Sequence, residues 1–168
     1  GISGRELSIL EAGAARMVAN IAPPQFPGAG DPGSNPIPLG VLGGQFIFHA
    51  SNGVAGGALW RTDGTMAGTV MIADPVSGTG NFVDAATPAS AVFGGRIFFR
   101  GNDGVHGPEL WATDSTAAGT VMIRDIENGT ESSSPRELTA AADGSLYFTA
   151  DNGMAGREVW RSDCTGAG

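Results

Sequence analysis

The chain has 168 residues, 41% of them hydrophobic, with 28 glycines, 10 prolines, one cysteine and a formal charge of −8. That length suits one domain with its own core, and glycines placed between β-rich runs describe a turn-rich globular chain, not a disordered one. The acidic balance would repel a phosphate backbone or an anionic membrane, and no apolar run approaches the ~18 residues of a span, so neither nucleic-acid binding nor membrane insertion is expected.

From the N-terminus, Gly4-Arg5-Glu6-Leu7-Ser8 is a worn copy of a motif that becomes clear further on. The segment from Pro23 to Pro38 carries six of the ten prolines; it cannot be a central strand and is expected to be a long surface loop. Gly43-Gly44-Gln45-Phe46-Ile47-Phe48-His49 then runs into Asn52-Gly53, and Gly57-Ala58-Leu59-Trp60-Arg61-Thr62-Asp63-Gly64-Thr65 follows. The same order returns as Gly94 to Arg100, Asp103-Gly104 and Pro108-Glu109-Leu110-Trp111, and again as Asp143 to Thr149, Asn152-Gly153 and Arg157-Glu158-Val159-Trp160.

The period is about 50 residues, marked by Trp60, Trp111 and Trp160. One period reads as four short strands, in the middle copy Ala89–Phe93, Arg96–Arg100, Glu109–Thr113 and Thr120–Ile126. Gly-Gly and Asp-Gly links between them carry the chemistry of hairpin turns with positive φ. Apolar residues on consecutive strand positions, as in Ile97-Phe98-Phe99, require both faces of the sheet to be covered. Stacked four-stranded blades do that, and a period of this length is the usual signature of a β-propeller. The expected fold is therefore an all-β, propeller-like array of about three four-stranded blades, a fragment or one completed by oligomerisation. The chain divides into residues 1–35 (divergent partial blade and Pro-rich loop), 36–86, 87–134 and 135–168 (partial blade).

Glu109-Leu110-Trp111-Ala112-Thr113-Asp114, followed by Ala118-Gly119-Thr120 and Arg124-Asp125-Ile126, resembles the ELWxxDGT repeat of large secreted bacterial proteins. The likeness covers nearly the whole chain and implies propeller-like arrays in surface or exported proteins, with no shared catalytic residue. The repeat's Asp-Gly-Thr survives at Asp63-Gly64-Thr65, whereas Ser115 and Cys164 replace the glycine in the later copies. A positive φ there would strain serine and cysteine by roughly 1–2 kcal/mol, so a type I turn is expected.

Trp60, Trp111 and Trp160 are the candidate ligand-binding residues, as platforms for sugar rings; the alternative is that they fill space between blades. Glu109 and Glu158 share the tryptophan's side of the strand and are expected to serve as polar partners of the indole nitrogen. Calcium is the one cofactor the oxygen-rich turns suggest, with Asp103 and Asp151 as ligands. His49 and His106 occupy non-equivalent positions and match no zinc spacing. No catalytic residue is assigned. The expected function is a non-catalytic secreted or cell-surface module for structural assembly or for binding carbohydrate or protein, partnered by itself or by other propeller repeats. The alternative is a polysaccharide hydrolase or lyase on the same scaffold.

Overall fold

The computed structural model describes residues 5–23, 32–54, 56–76, 78–83 and 90–164. Among them are thirteen strands and no helix, arranged in four antiparallel sheets. Sheet 1 pairs β1 (Leu7–Glu11) with β2 (Ala14–Ala19). Sheet 2 runs β3 (Ile37–Leu42), β4 (Gln45–Ser51), β5 (Gly57–Thr62) and β6 (Val70–Ala73) in chain order. Sheet 3 repeats this with β7 (Ser90–Phe93), β8 (Arg96–Asn102), β9 (Pro108–Thr113) and β10 (Val121–Arg124). Sheet 4 contains β11 (Arg136–Ala140), β12 (Leu146–Asp151) and β13 (Arg157–Ser162). Ala89, expected to open β7, lies outside the described residues.

Turn chemistry explains why neighbours pair. Gly43-Gly44 and Gly94-Gly95 all have positive φ, between 56° and 77°, as a two-residue primed hairpin needs. Asp143-Gly144 differs from this expectation. Only Gly144 is left-handed, and Ala141 N–H donates to the Ser145 carbonyl across a five-residue connection; this longer hairpin closes with a single αL residue. Ile37 and Pro38, the last two residues of the proline-rich segment that describes a loop in the sequence, open β3. That strand is an edge, where a residue without an N–H is tolerated. Residues 24–31 of the segment lie outside the described residues.

The expected type I turn at the Asp-Gly-Thr position is corrected. Gly64, Ser115 and Cys164 are all left-handed, at φ 90°, 69° and 67°. The flanking side chains impose this. Thr62, Thr113 and Ser162 hydroxyls accept the N–H of Gly64, Ser115 and Cys164 at 3.0, 3.0 and 2.9 Å. Asp63 and Asp114 carboxylates accept both the N–H and the hydroxyl of Thr65 and Thr116, and these bonds hold both carboxyls below the usual aspartate range. A side chain at Gly64 would meet open space, so the substitutions cost backbone strain and no clash.

The core lies between sheets. Because side chains alternate along a strand, Phe46, Phe48 and Ala50 of β4 cluster with Leu7, Ala19 and Ile21, while Ile47 and Leu59 of the same sheet cluster with Ile97, Phe99 and Trp111 of sheet 3. Phe98, Leu110 and Ala112 on the far side of sheet 3 meet Leu146, Phe148 and Ala150 of sheet 4. The first strands of sheets 2, 3 and 4 follow one another, β3 against β7 and β7 against β11. Gly40 makes the first approach possible, since a Cβ there would sit 3.0 Å from Val92 Cγ2.

Candidate functional site

The most built-up polar arrangement lies where the chain crosses from one sheet to the next. Glu109, on β9 of sheet 3, is fully buried. Its Oε1 accepts the Ser133 N–H at 2.9 Å, and its Oε2 accepts the Ser133 hydroxyl at 2.5 Å and the Ile126 N–H at 3.0 Å. Ser133, just before β11, passes the link on: its carbonyl accepts the N–H of Asp151 at the end of β12. One carboxylate thereby ties the β10–β11 connection to both sheets. Burial pushes the Glu109 carboxyl up from its ordinary value, and the three donated bonds oppose the rise.

The same latch recurs one junction from the N-terminus. Glu6 accepts the Ser34 N–H at 2.9 Å, the Ser34 hydroxyl at 2.6 Å and the Ile21 N–H at 3.2 Å, while the Ser34 carbonyl accepts the Ser51 N–H at 2.9 Å. Between sheets 2 and 3 the latch is absent. Ala58 stands in place of the glutamate and Phe82 in place of the serine; the carbonyl link survives, from Asn102 N–H to Phe82 O at 2.7 Å, beside backbone bonds from Phe82 N–H to Gly57 O at 2.9 Å and from Gly57 N–H to Gly80 O at 3.1 Å. The Phe82 ring is fully buried and packs edge-on against Phe99 and Trp111, with centroids 5.5 and 5.0 Å away. His49 is buried beside this plug, its imidazole filling the space next to Gly57, and desolvation lowers its pKa.

Trp60, Trp111 and Trp160 are spread one per sheet, each packed into an inter-sheet cluster. Trp60 and Trp160 are half-buried, and their Nε1–H groups donate to the Ala50 and Ala150 carbonyls at 3.1 Å. The expected indole–glutamate pairing is therefore not what forms: Glu109 is held by the connection, and Trp160 donates to the Ala150 carbonyl although Glu158 is exposed. Trp111 differs again: Gly101 replaces the alanine, the ring lies where a Gly101 Cβ would be, and its Nε1 has no hydrogen-bond partner.

Asp103 and Asp151 are not brought together. Asp103 accepts the N–H groups of Val105 and His106 and pairs with His106 Nδ1 at 2.8 Å, which raises the His106 pKa. Asp151 accepts the Gly153 N–H in the next repeat's turn. Among the described residues no group of three or more His, Cys, Asp or Glu side chains could hold a metal ion. Cys164 is a free thiol; burial pushes its pKa up.

Shallow crevices follow the seams between sheets. One of about 200 Å³ is lined by Arg61, Met71, Ser115 and Thr116, where Arg61 Nη1 donates to the Ser115 carbonyl at 2.9 Å. Another of about 100 Å³ lies between Arg124, Ile126, Phe148, Trp160 and Arg161.

Ser34, Ser133 and Phe82 are absent from the sequence-based candidates. A signal was present: Ile21 and Ile126 are each followed by a Ser-x-Pro, Ser34-Asn35-Pro36 and Ser133-Ser134-Pro135, and the middle junction breaks the pattern. No family model, no curated protein and no solved structure matches the chain.

Proposed function

We propose that this chain is a non-catalytic structural module, its four sheets serving as successive blades of a propeller-like array that assembles with further repeats of the same kind. The observation that carries the reading is the repeated use of polar side chains to fix one sheet to the next. Glu6 and Glu109 each have both carboxylate oxygens occupied by the connection. Asp63 and Asp114 are engaged in their own turns. The secreted or surface setting follows from the resemblance to ELWxxDGT repeats.

In such an array stability is a sum of intrinsic repeat terms and nearest-neighbour interfaces. Chains lengthened by one and two further periods should therefore denature at successively higher urea concentrations. A midpoint that stays flat on lengthening would overturn the reading. A second reading, carbohydrate or acidic-peptide binding, is favoured by the crevice that Trp160 lines together with Arg124 and Arg161. A glycan array probed with the same proteins tests it, and loss of any signal in Trp160→Ala would place the ligand there.

A further inference from the structure

Three features of sheet 4 differ from their counterparts in the other sheets. Glu158 occupies the position of Glu6 and Glu109, yet it is exposed. Val159 is 74% exposed, whereas Leu59 and Leu110 at the same position are 0% and 1% exposed. Gly156 keeps the left-handed φ of its counterparts, 79° against 76° and 70°. At Gly56 and Gly107 a Cβ would strike the backbone of the crossing connection, Gly80 O at 1.9 Å and Glu131 O at 2.0 Å; at Gly156 it would meet nothing within 4 Å.

The free face also repeats the chemistry of a covered one. Tyr147, Val159 and Arg161 stand where sheet 2 presents Ile47, Leu59 and Arg61 to sheet 3, and Arg61 there donates to the Ser115 carbonyl of the incoming sheet.

We infer that Glu158 is the open half of a latch, and that its occupant is one further repeat joined in series after β13, supplying a backbone N–H from an isoleucine-like position and a Ser-x-Pro connection. The closed latches say what that unit must carry. In both, the carboxylate receives one N–H from the segment leaving its own sheet and two donors from the serine that enters the next. A second copy of this chain is a poor occupant. Its Ser34 and Ser133 are already held by its own Glu6 and Glu109, and its remaining junction offers Phe82. This inference deepens the structural-module reading and rests on it.

The test appends a copy of residues 115–164 directly after Asp163, which places the copied Ile126 and Ser133 at the same separation from Glu158 as the originals have from Glu109. Two readouts separate the latch from the stacking beneath it. Val159→Cys, made in a Cys164→Ser background with the copied cysteine also replaced, reports whether the face is covered. Thiol labelling should slow by at least about tenfold on extension, the range expected when an exposed side chain is reached only through opening. Glu158→Ala reports the latch: the urea midpoint should be unchanged in the original chain and should fall in the extended one, and replacing the copied Ser133 by alanine should abolish that fall.

Fast labelling in the extended chain would overturn both the occupant and the structural-module reading. Slow labelling with a midpoint indifferent to Glu158→Ala would overturn the latch alone. Labelling of the original chain that slows as its own concentration rises would put a second copy on the face and overturn the in-series assignment.

Discussion

The junctions on either side of sheet 2 solve one problem in two ways. Toward sheet 1, Glu6 holds the crossing connection through three hydrogen bonds; toward sheet 3, Phe82 holds it through ring packing against Phe99 and Trp111. What both keep is the carbonyl that receives the N–H at the end of the next sheet's second strand. The difference teaches that this geometry asks for a full, dry volume beneath the connection and backbone links to the sheets on both sides of it. A carboxylate with every acceptor matched meets that demand, and so does an aromatic ring, because an unfilled or unmatched site is what costs.

Breaking the two kinds of junction should therefore cost similar amounts by different routes. Glu109→Ala leaves three buried donors without an acceptor and is expected to destabilise by about 3–5 kcal/mol, read as a drop in urea midpoint. Glu109→Gln should recover little, because its amide sets a donor against one of the two backbone N–H groups. Phe82→Ala opens a cavity in the middle junction and should also cost about 3–5 kcal/mol; unlike the glutamate variants, it should respond to the size of the replacement, with Phe82→Leu recovering most of the loss. The N-terminal latch is the weaker of its kind, since Glu6 is only half-buried and water can reach the orphaned groups. Glu6→Ala should cost about 1–3 kcal/mol.

Acid sharpens the contrast, because the two junctions titrate in opposite directions. His49, beside the plug, has a folded pKa below its unfolded value near 6.5. As pH falls through 6.5 and on toward the folded value, the unfolded chain takes up a proton the folded chain resists, so stability declines by about 1.4 kcal/mol per unit of depression. Glu109 has a raised folded pKa, so its contribution is fully present below the unfolded carboxyl value and is lost as pH rises through the folded one. The His49 contribution should thus fall as pH drops below about 6.5, opposed by His106 with its raised pKa, so the difference in midpoint between the parent and His49→Gln should shift across this range without touching the carboxyl range. The smallest effect belongs to the turns shared by all junctions. Ser115→Gly relieves a left-handed φ of 69° and should stabilise by up to about 1 kcal/mol, net of the entropy glycine brings to the unfolded chain.

The strand order within each sheet was legible because its signals are local: a Gly-Gly pair fixes a hairpin, and Ile97-Phe98-Phe99 announces two covered faces. The φ at Ser115 and Cys164 was misread for the opposite reason. Residue preference alone argued against a left-handed backbone, while the threonine hydroxyl before it and the aspartate beside it outweighed that preference through bonds no composition displays. Glu109 was noticed for its place beside Trp111, but its partner lies 24 residues on, beyond the reach of strand alternation. Trp111 could not be distinguished from Trp60 in the sequence, since what turns its ring is the exchange of an alanine for Gly101 on the neighbouring strand and the arrival of Phe82.

The up-and-down order of strands in every sheet also sets how such a chain reaches its folded state. Strand partners are neighbours in sequence, and packing partners lie one period away. No contact of either kind grows longer when another period is added. Relative contact order, the quantity that slows β-rich folding, consequently falls as the array lengthens, so a long chain of this repeat should fold sheet by sheet from any starting point at about the pace of a short one.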